Sequence, residues 1–167
     1  MYLIDGNNVI GQRAKGYESW FRDKPGARRQ FLNDLAALAK AKKLRLAVVF
    51  DGAPDQSFPD ASSFRGVKVF YARKGSDADT RIVEIVEAER NRKNLIVVTS
   101  DRKLTDRVRV CGVRVMRAGE FQRLLDKASA QSFSRDDGAS PEVKENERDE
   151  WMRYFGVGED DEGEDDG

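Results

Sequence analysis

The chain has 167 residues, carries 30 Lys/Arg against 30 Asp/Glu, and contains no histidine. The missing imidazole excludes Ser/His and Cys/His catalytic pairs, histidine general bases and ordinary zinc sites, so any hydrolysis has to rely on carboxylates and the ions they can hold. Zero net charge conceals a division: residues 1–128 hold 26 Lys/Arg against 16 Asp/Glu and residues 129–167 hold 4 against 14, a basic body suited to a polyanionic partner and an acidic tail.

Tyr2-Leu3-Ile4-Asp5 predicts a first strand buried on both faces and ending on an acid. Residues 6–24 read as a loop in which Gly6, Gly11 and Gly16 alternate with Tyr17, Trp20 and Phe21 and with Arg13, Lys15, Arg22 and Lys24. Pro25 suits the first turn of a helix to about Lys42, with Phe31, Leu35, Leu38 and Ala39 on one face. Leu44 to Phe50 gives a second strand ending at Asp51, and Asp51-Gly52-Ala53-Pro54 breaks it into a polar surface loop reaching Arg65. Val67 to Tyr71 is the third strand.

Lys74-Gly75-Ser76-Asp77-Ala78-Asp79 then leads into a helix carrying Ile82, Val83, Ile85, Val86 and Ala88 inward, with Ser76 and Asp79 spaced as a capping box. Leu95 to Thr99 is the fourth strand, closed by Thr99-Ser100-Asp101. A short helix from about Arg102 carries Leu104, Val108 and Cys111 inward and stops at Gly112. Val113 to Met116 is the fifth strand, and Glu120 to Lys127 a helix. This alternation predicts a three-layer α/β domain over residues 1–128 with a mainly parallel sheet.

Residues 129–141 read as a Ser/Asp/Gly-rich linker, 142–155 as a helical segment with Trp151, Met152, Tyr154 and Phe155, and 156–167 as a disordered acidic tail. No stretch approaches the ~20 apolar residues of a membrane helix, and the first strand leaves no room for a leader, so a cytoplasmic protein without a membrane partner is expected. The single Cys111 is expected to be a small packed residue.

Parallel strands present their carboxyl ends at one sheet edge, where open α/β sheets bind ligands. Asp5, Asp51 and Asp101 all end strands, and Asp77 and Asp79 open a helix at the same edge. Each has an ordinary explanation as a turn or capping residue. Gathered together, they would repel one another unless a cation sat among them, and an all-oxygen set suits Mg²⁺ or Mn²⁺. Asn8 can orient a carboxylate or water. Among the five acids, Asp79 is favoured over Asp77 as a ligand, and Asp51 has the least defined role.

Asp5-Gly6-Asn7-Asn8-Val9-Ile10, Val48-Val49-Phe50-Asp51, Ala78-Asp79-Thr80-Arg81-Ile82 and Thr99-Ser100-Asp101, in this order and with these gaps, resemble the YacP-like branch of the NYN domains, relatives of PIN-domain nucleases. The resemblance covers roughly residues 1–128. It implies an α/β/α PIN-like sheet of order near 3-2-1-4-5, divalent metal held by acids, and endonucleolytic cleavage of RNA, in some members of mRNA on the ribosome. Asp5, Asp79 and Asp101 match the family's core acids, Asn8 its asparagine, and Asp51 its acid after the second strand; Asp77 resembles the acid after Lys-Gly in other NYN branches.

The expected activity is therefore a metal-dependent endoribonuclease acting on single-stranded RNA. Catalysis falls to Asp5, Asn8, Asp79 and Asp101, with Asp51 and Asp77 as further candidate ligands. Arg13, Lys15, Arg22, Lys24, Lys74, Arg102 and Lys103 are candidates for phosphate contacts, and Trp20 for base stacking or plain loop packing. The rival from another class is a non-catalytic RNA- or ribosome-binding module on the same fold. A receiver domain would want a lysine after the fifth strand, where Met116-Arg117-Ala118-Gly119 has none. A haloacid-dehalogenase-type phosphatase would want an acid at position 7, which is Asn7.

Overall fold

The computed structural model describes residues 1–12 and 23–135, with side chains through residue 131. Its strands are β1 (Tyr2–Asp5), β2 (Leu46–Phe50), β3 (Ser62–Phe64), β4 (Val67–Tyr71), β5 (Ile96–Val98) and β6 (Arg114–Met116). The helices are α1 (Gly6–Gln12), α2 (Lys24–Lys42), α3 (Ala78–Ala88), α4 (Arg102–Val110) and α5 (Ala118–Arg135), with a 3₁₀ turn at Arg92–Asn94. Residues 1–131 form one compact unit. No described helix is long and apolar enough to cross a membrane.

The sheet order is β3-β4-β2-β1-β5-β6. Every pairing is parallel except β3 with β4, so the five strands read from the sequence lie in the expected order 3-2-1-4-5. Strand β3 was not expected, because Ser62-Ser63-Phe64 has no apolar alternation. It hairpins onto β4 through Arg65 and Gly66, both with positive φ (47° and 88°), as a two-residue reversal of strand direction requires.

Alternate side chains of the central strands feed two opposite faces. Leu3, Ala47, Val49 and Val97 pack with Ala78, Ile82 and Val86 of α3 and with Leu104 and Val108 of α4. Phe50, on the other parity, meets Phe31 of α2 edge-on at 6.5 Å between ring centres. Cys111 is a partly buried free thiol packed at the rim of the α3–α4 core, the small packed residue expected from the sequence.

Two other boundaries depart from the sequence reading. The first half of the expected 6–24 loop is α1, which starts directly from Asp5 and buries Val9 and Ile10. Residues 13–22, with Arg13, Lys15, Trp20 and Arg22, lie outside the described residues, as do the segments 142–155 and 156–167. Helix α5 runs to Arg135, so the first residues assigned to a linker are helical. Helix α2 starts as expected, with Pro25 in its first turn and the Asp23 carboxylate accepting the Gly26 N–H at 3.0 Å.

Gly6 lets α1 begin at the sheet edge. A methyl group there would stand 2.6 Å from two ring carbons of Phe50 and 2.9 Å from Val48 Cγ2, both residues fully buried. Gly6→Ala should therefore destabilise the fold by about 1–3 kcal/mol through overpacking, lowering Tm by roughly 2–4 °C for each kcal/mol. A thermal melt indistinguishable from wild type would contradict this packing.

Candidate active site

The order of strands reverses between β1 and β5. Helices α1 and α2 bridge β1 to β2, whereas α3 lies in the crossover from β4 to β5 and α4 in that from β5 to β6. The carboxyl edge at such a reversal is where α/β sheets open a crevice, and the acids stand there.

Asp5, the last residue of β1, is only 5% exposed. Its Oδ2 accepts a hydrogen bond from Thr99 Oγ1 at 3.0 Å. Burial first, then repulsion from Asp79 and Asp51, pushes its pKa up to about 7 against the lowering effect of the Thr99 and Asn8 hydrogen bonds. Thr99 is fully buried. Its hydroxyl also accepts the Asp101 N–H at 3.1 Å, which leaves the single hydroxyl proton available to the ionised Asp5 carboxylate.

Asp101 caps α4, its Oδ1 accepting the Leu104 N–H at 3.1 Å, while its carbonyl accepts the Thr105 hydroxyl at 2.7 Å. Asp51 reaches across to α3, where its Oδ1 accepts the Ala78 N–H at 2.7 Å. Its own N–H donates to Asn7 Oδ1 at 3.4 Å, and its carbonyl accepts from Arg28. A carboxylate oxygen carries two lone pairs, so these bonds orient the acids without exhausting them.

Asp79 differs from the others. Half-buried in the first turn of α3, its carboxylate accepts no hydrogen bond among the described residues. Burial, followed by repulsion from Asp101, Asp77 and Asp51, raises its pKa, with Arg107 opposing. Asp77 is exposed and is the N-cap of α3, in place of the expected Ser76. Its carboxylate accepts the Thr80 N–H at 2.8 Å, and the Thr80 contacts hold its pKa below the ordinary value.

Asn8 Oδ1 accepts the Ser100 N–H at 2.9 Å, tying α1 to the loop after β5. Lys24, Lys74, Arg102 and Lys103 are all exposed, the last two in the first turn of α4 beside Asp101. A groove of about 630 Å³ opens instead at the opposite, amino edge of the sheet, between α2 and the β3–β4 turn, and contains no acid.

Asp5, Asp51, Asp79 and Asp101 thus share one edge, closely enough that repulsion from neighbouring acids adds to burial in raising the pKa of Asp5 and of Asp79. Among the described residues, however, no three acids are arranged to enclose a single ion. That spacing fits a cation held by one or two carboxylates and otherwise by water, the habit of Mg²⁺, and fits less well a site closed by protein alone. Asn7, Arg28, Thr99 and Arg107 were not singled out from the sequence as site residues. Thr99 alone had a readable signal, a hydroxyl two residues before a strand-end acid.

Fold and edge together define the PIN-like, nuclease-type class of α/β domains. The profile of the YacP-like NYN domain matches residues 2–154, and the chain belongs to that family. The match runs well past residue 128, where the resemblance read from the sequence stops, and takes in nearly all of the segment 142–155. Rae1 (YacP) from Bacillus subtilis has a similar solved structure, with a TM-score of 0.72 at 21% identity over 93% of this chain and 92% of that one. The structure of its tryptophan-to-leucine mutant gives 0.68 at 21% identity over 88% and 87%. At this identity the likeness speaks for the fold. No curated protein sequence matches the chain.

The Asp5 environment makes a test by pH. A carboxyl group whose folded pKa lies above its unfolded value of 3.8 contributes stability that is full below about pH 4 and is lost as the pH rises through about 7. In chelator at pH 8, Asp5→Asn should therefore be more stable than wild type by on the order of 2 kcal/mol, and the advantage should vanish near pH 4. Denaturant melts across that range check it, and an Asn variant less stable than wild type at pH 8 would contradict it.

Proposed function

We propose that the chain is a metal-dependent endoribonuclease that hydrolyses phosphodiesters of single-stranded RNA. The observation that carries this reading is the set of four acids at the sheet's switch point, with Asp5 buried and pushed up to about 7. Placing several buried or half-buried carboxylates together is unfavourable in a fold that needs them only as caps. A cation recovers that energy by favouring their ionised forms.

Asp79 and Asp5 are the residues we assign to hold Mg²⁺ or Mn²⁺, with Asp101 and Asp51 on either side; Asp77 is assigned to capping. When bound, such an ion would supply Lewis acidity and an activated water for attack at phosphorus. Water adds its oxygen to the phosphorus, the bond to the 3′ oxygen breaks, and that oxygen leaves with a proton, giving 5′-phosphate and 3′-hydroxyl ends. Thr99 and Asn8 fix the spacing of the first and fourth of the sequence-predicted strands, and so of Asp5 and Asp101. Lys74, Arg102 and Lys103 extend cationic side chains near the same edge for the RNA backbone.

The spacing of the acids, no three described ones enclosing a single ion, is equally compatible with the non-catalytic alternative. The two readings separate in one assay of the full chain with single-stranded RNA and with a translating extract, since a ribosome-bound message is a substrate the family resemblance suggests. Cutting that needs Mn²⁺ or Mg²⁺, stops in chelator, and falls at least ~100-fold in Asp79→Asn or Asp101→Asn supports the nuclease. RNA binding without metal-dependent cutting in either preparation, unchanged by Asp5→Asn, supports the binding module.

A further inference from the structure

Arg28 of α2 belongs to no role described so far except its bond to Asp51. Its guanidinium carbon lies 5.3 Å from the centre of the Phe50 ring and 5.9 Å from that of Tyr71, so the head group rests on two buried aromatic faces at the carboxyl ends of β2 and β4. One amino group donates to the Asp51 carbonyl. The Nε is buried and has no hydrogen-bond partner. Among the described residues Arg28 forms no ion pair, in contrast to Arg81, which pairs with Asp60 and Glu84.

The carboxylates of Asp51 and Asp55 favour its charge from a distance, but a half-buried guanidinium with an unsatisfied donor and no carboxylate in direct contact is costly unless an anion completes it. Its planar fork matches two phosphate oxygens. The position fits as well: Arg28 touches the strand-end acid Asp51, and the residue after that acid is Gly52, exposed and with a positive φ of 85°. Even a methyl group at Gly52 would lie 3.4 Å from Arg28 Nη2, so the absence of a side chain keeps the approach to the guanidinium open.

We propose that Arg28 is a phosphate-binding residue, gripping a backbone phosphate of RNA that lies across the acidic edge. The inference rests on the ribonuclease reading above. It gives the site a cation on the α2 side of the sheet, opposite the exposed Arg102 and Lys103 on α4.

The test is RNA binding by the full chain in Ca²⁺, with RNA integrity checked on a gel, for wild type, Arg28→Lys and Arg28→Met across a salt series. Methionine keeps an apolar stem over Phe50 and Tyr71 and removes the charge. Arg28→Met should bind about fivefold or more weakly, and its log Kd against log salt slope should fall by about 0.7, the loss of one contact to a single strand. Arg28→Lys should keep the wild-type slope with a smaller loss of affinity. Equal affinity and slope in all three, with only the melting temperature lowered in the variants, would reduce Arg28 to a strut for Asp51. A wild type that binds no RNA would overturn the ribonuclease reading itself, and Arg28's role with it.

Discussion

Like charges delivered to one place set the terms for this structure. A parallel sheet points every strand's carboxyl end the same way, and β1, β2 and β5 are each finished or followed by an aspartate, with Asp79 added from the start of α3. Burial, and then repulsion among them, raises the pKa of Asp5 and Asp79. The sheet tolerates this because the strands beneath are held by apolar packing on both faces, with Leu3, Ile4, Val48, Val49, Val97 and Val98 fully buried. Stability made in the core is spent at the edge.

The acids are not left to find their own positions. Main-chain N–H groups at the starts of α3 and α4 orient Asp51 and Asp101, and the Thr99 hydroxyl joins the two strand-end acids, accepting from the Asp101 N–H and donating to the Asp5 carboxylate. Asn7 and Asn8 stitch α1 to the ends of β2 and β5. Such a shell of supporting bonds sets the spacing of ligands more finely than strand geometry alone can. Asp79, which lacks such a bond, is the acid with most freedom to meet an ion or its water.

Strand identity and order were legible because buried parallel strands leave unbroken Val/Ile/Leu runs, as in Leu46–Phe50. The shared edge followed from where those runs stop. Elements that depend on tertiary context were not legible: α1 follows from the fit of Gly6 against Phe50, and β3 exists only because β4 offers its edge. Ser76 and Asp77 are both good caps, and the choice of Asp77 depends on the turn that brings Ser76 N–H to Arg73 O. Among site residues, carboxylates at strand ends stood out, whereas Arg28 is one of two adjacent arginines in α2 and its aromatic seat depends on residues more than 20 positions away.

Anomalous scattering from crystals of the full chain grown with Mn²⁺ addresses the central claim most directly. On this account a manganese peak lies at the carboxyl edge between β1 and β5, within coordinating distance of Asp79 and at least one of Asp5 and Asp101, with water filling the remaining positions. An edge without such a peak at millimolar Mn²⁺, with the acids instead protonated or paired to cationic side chains, would contradict it.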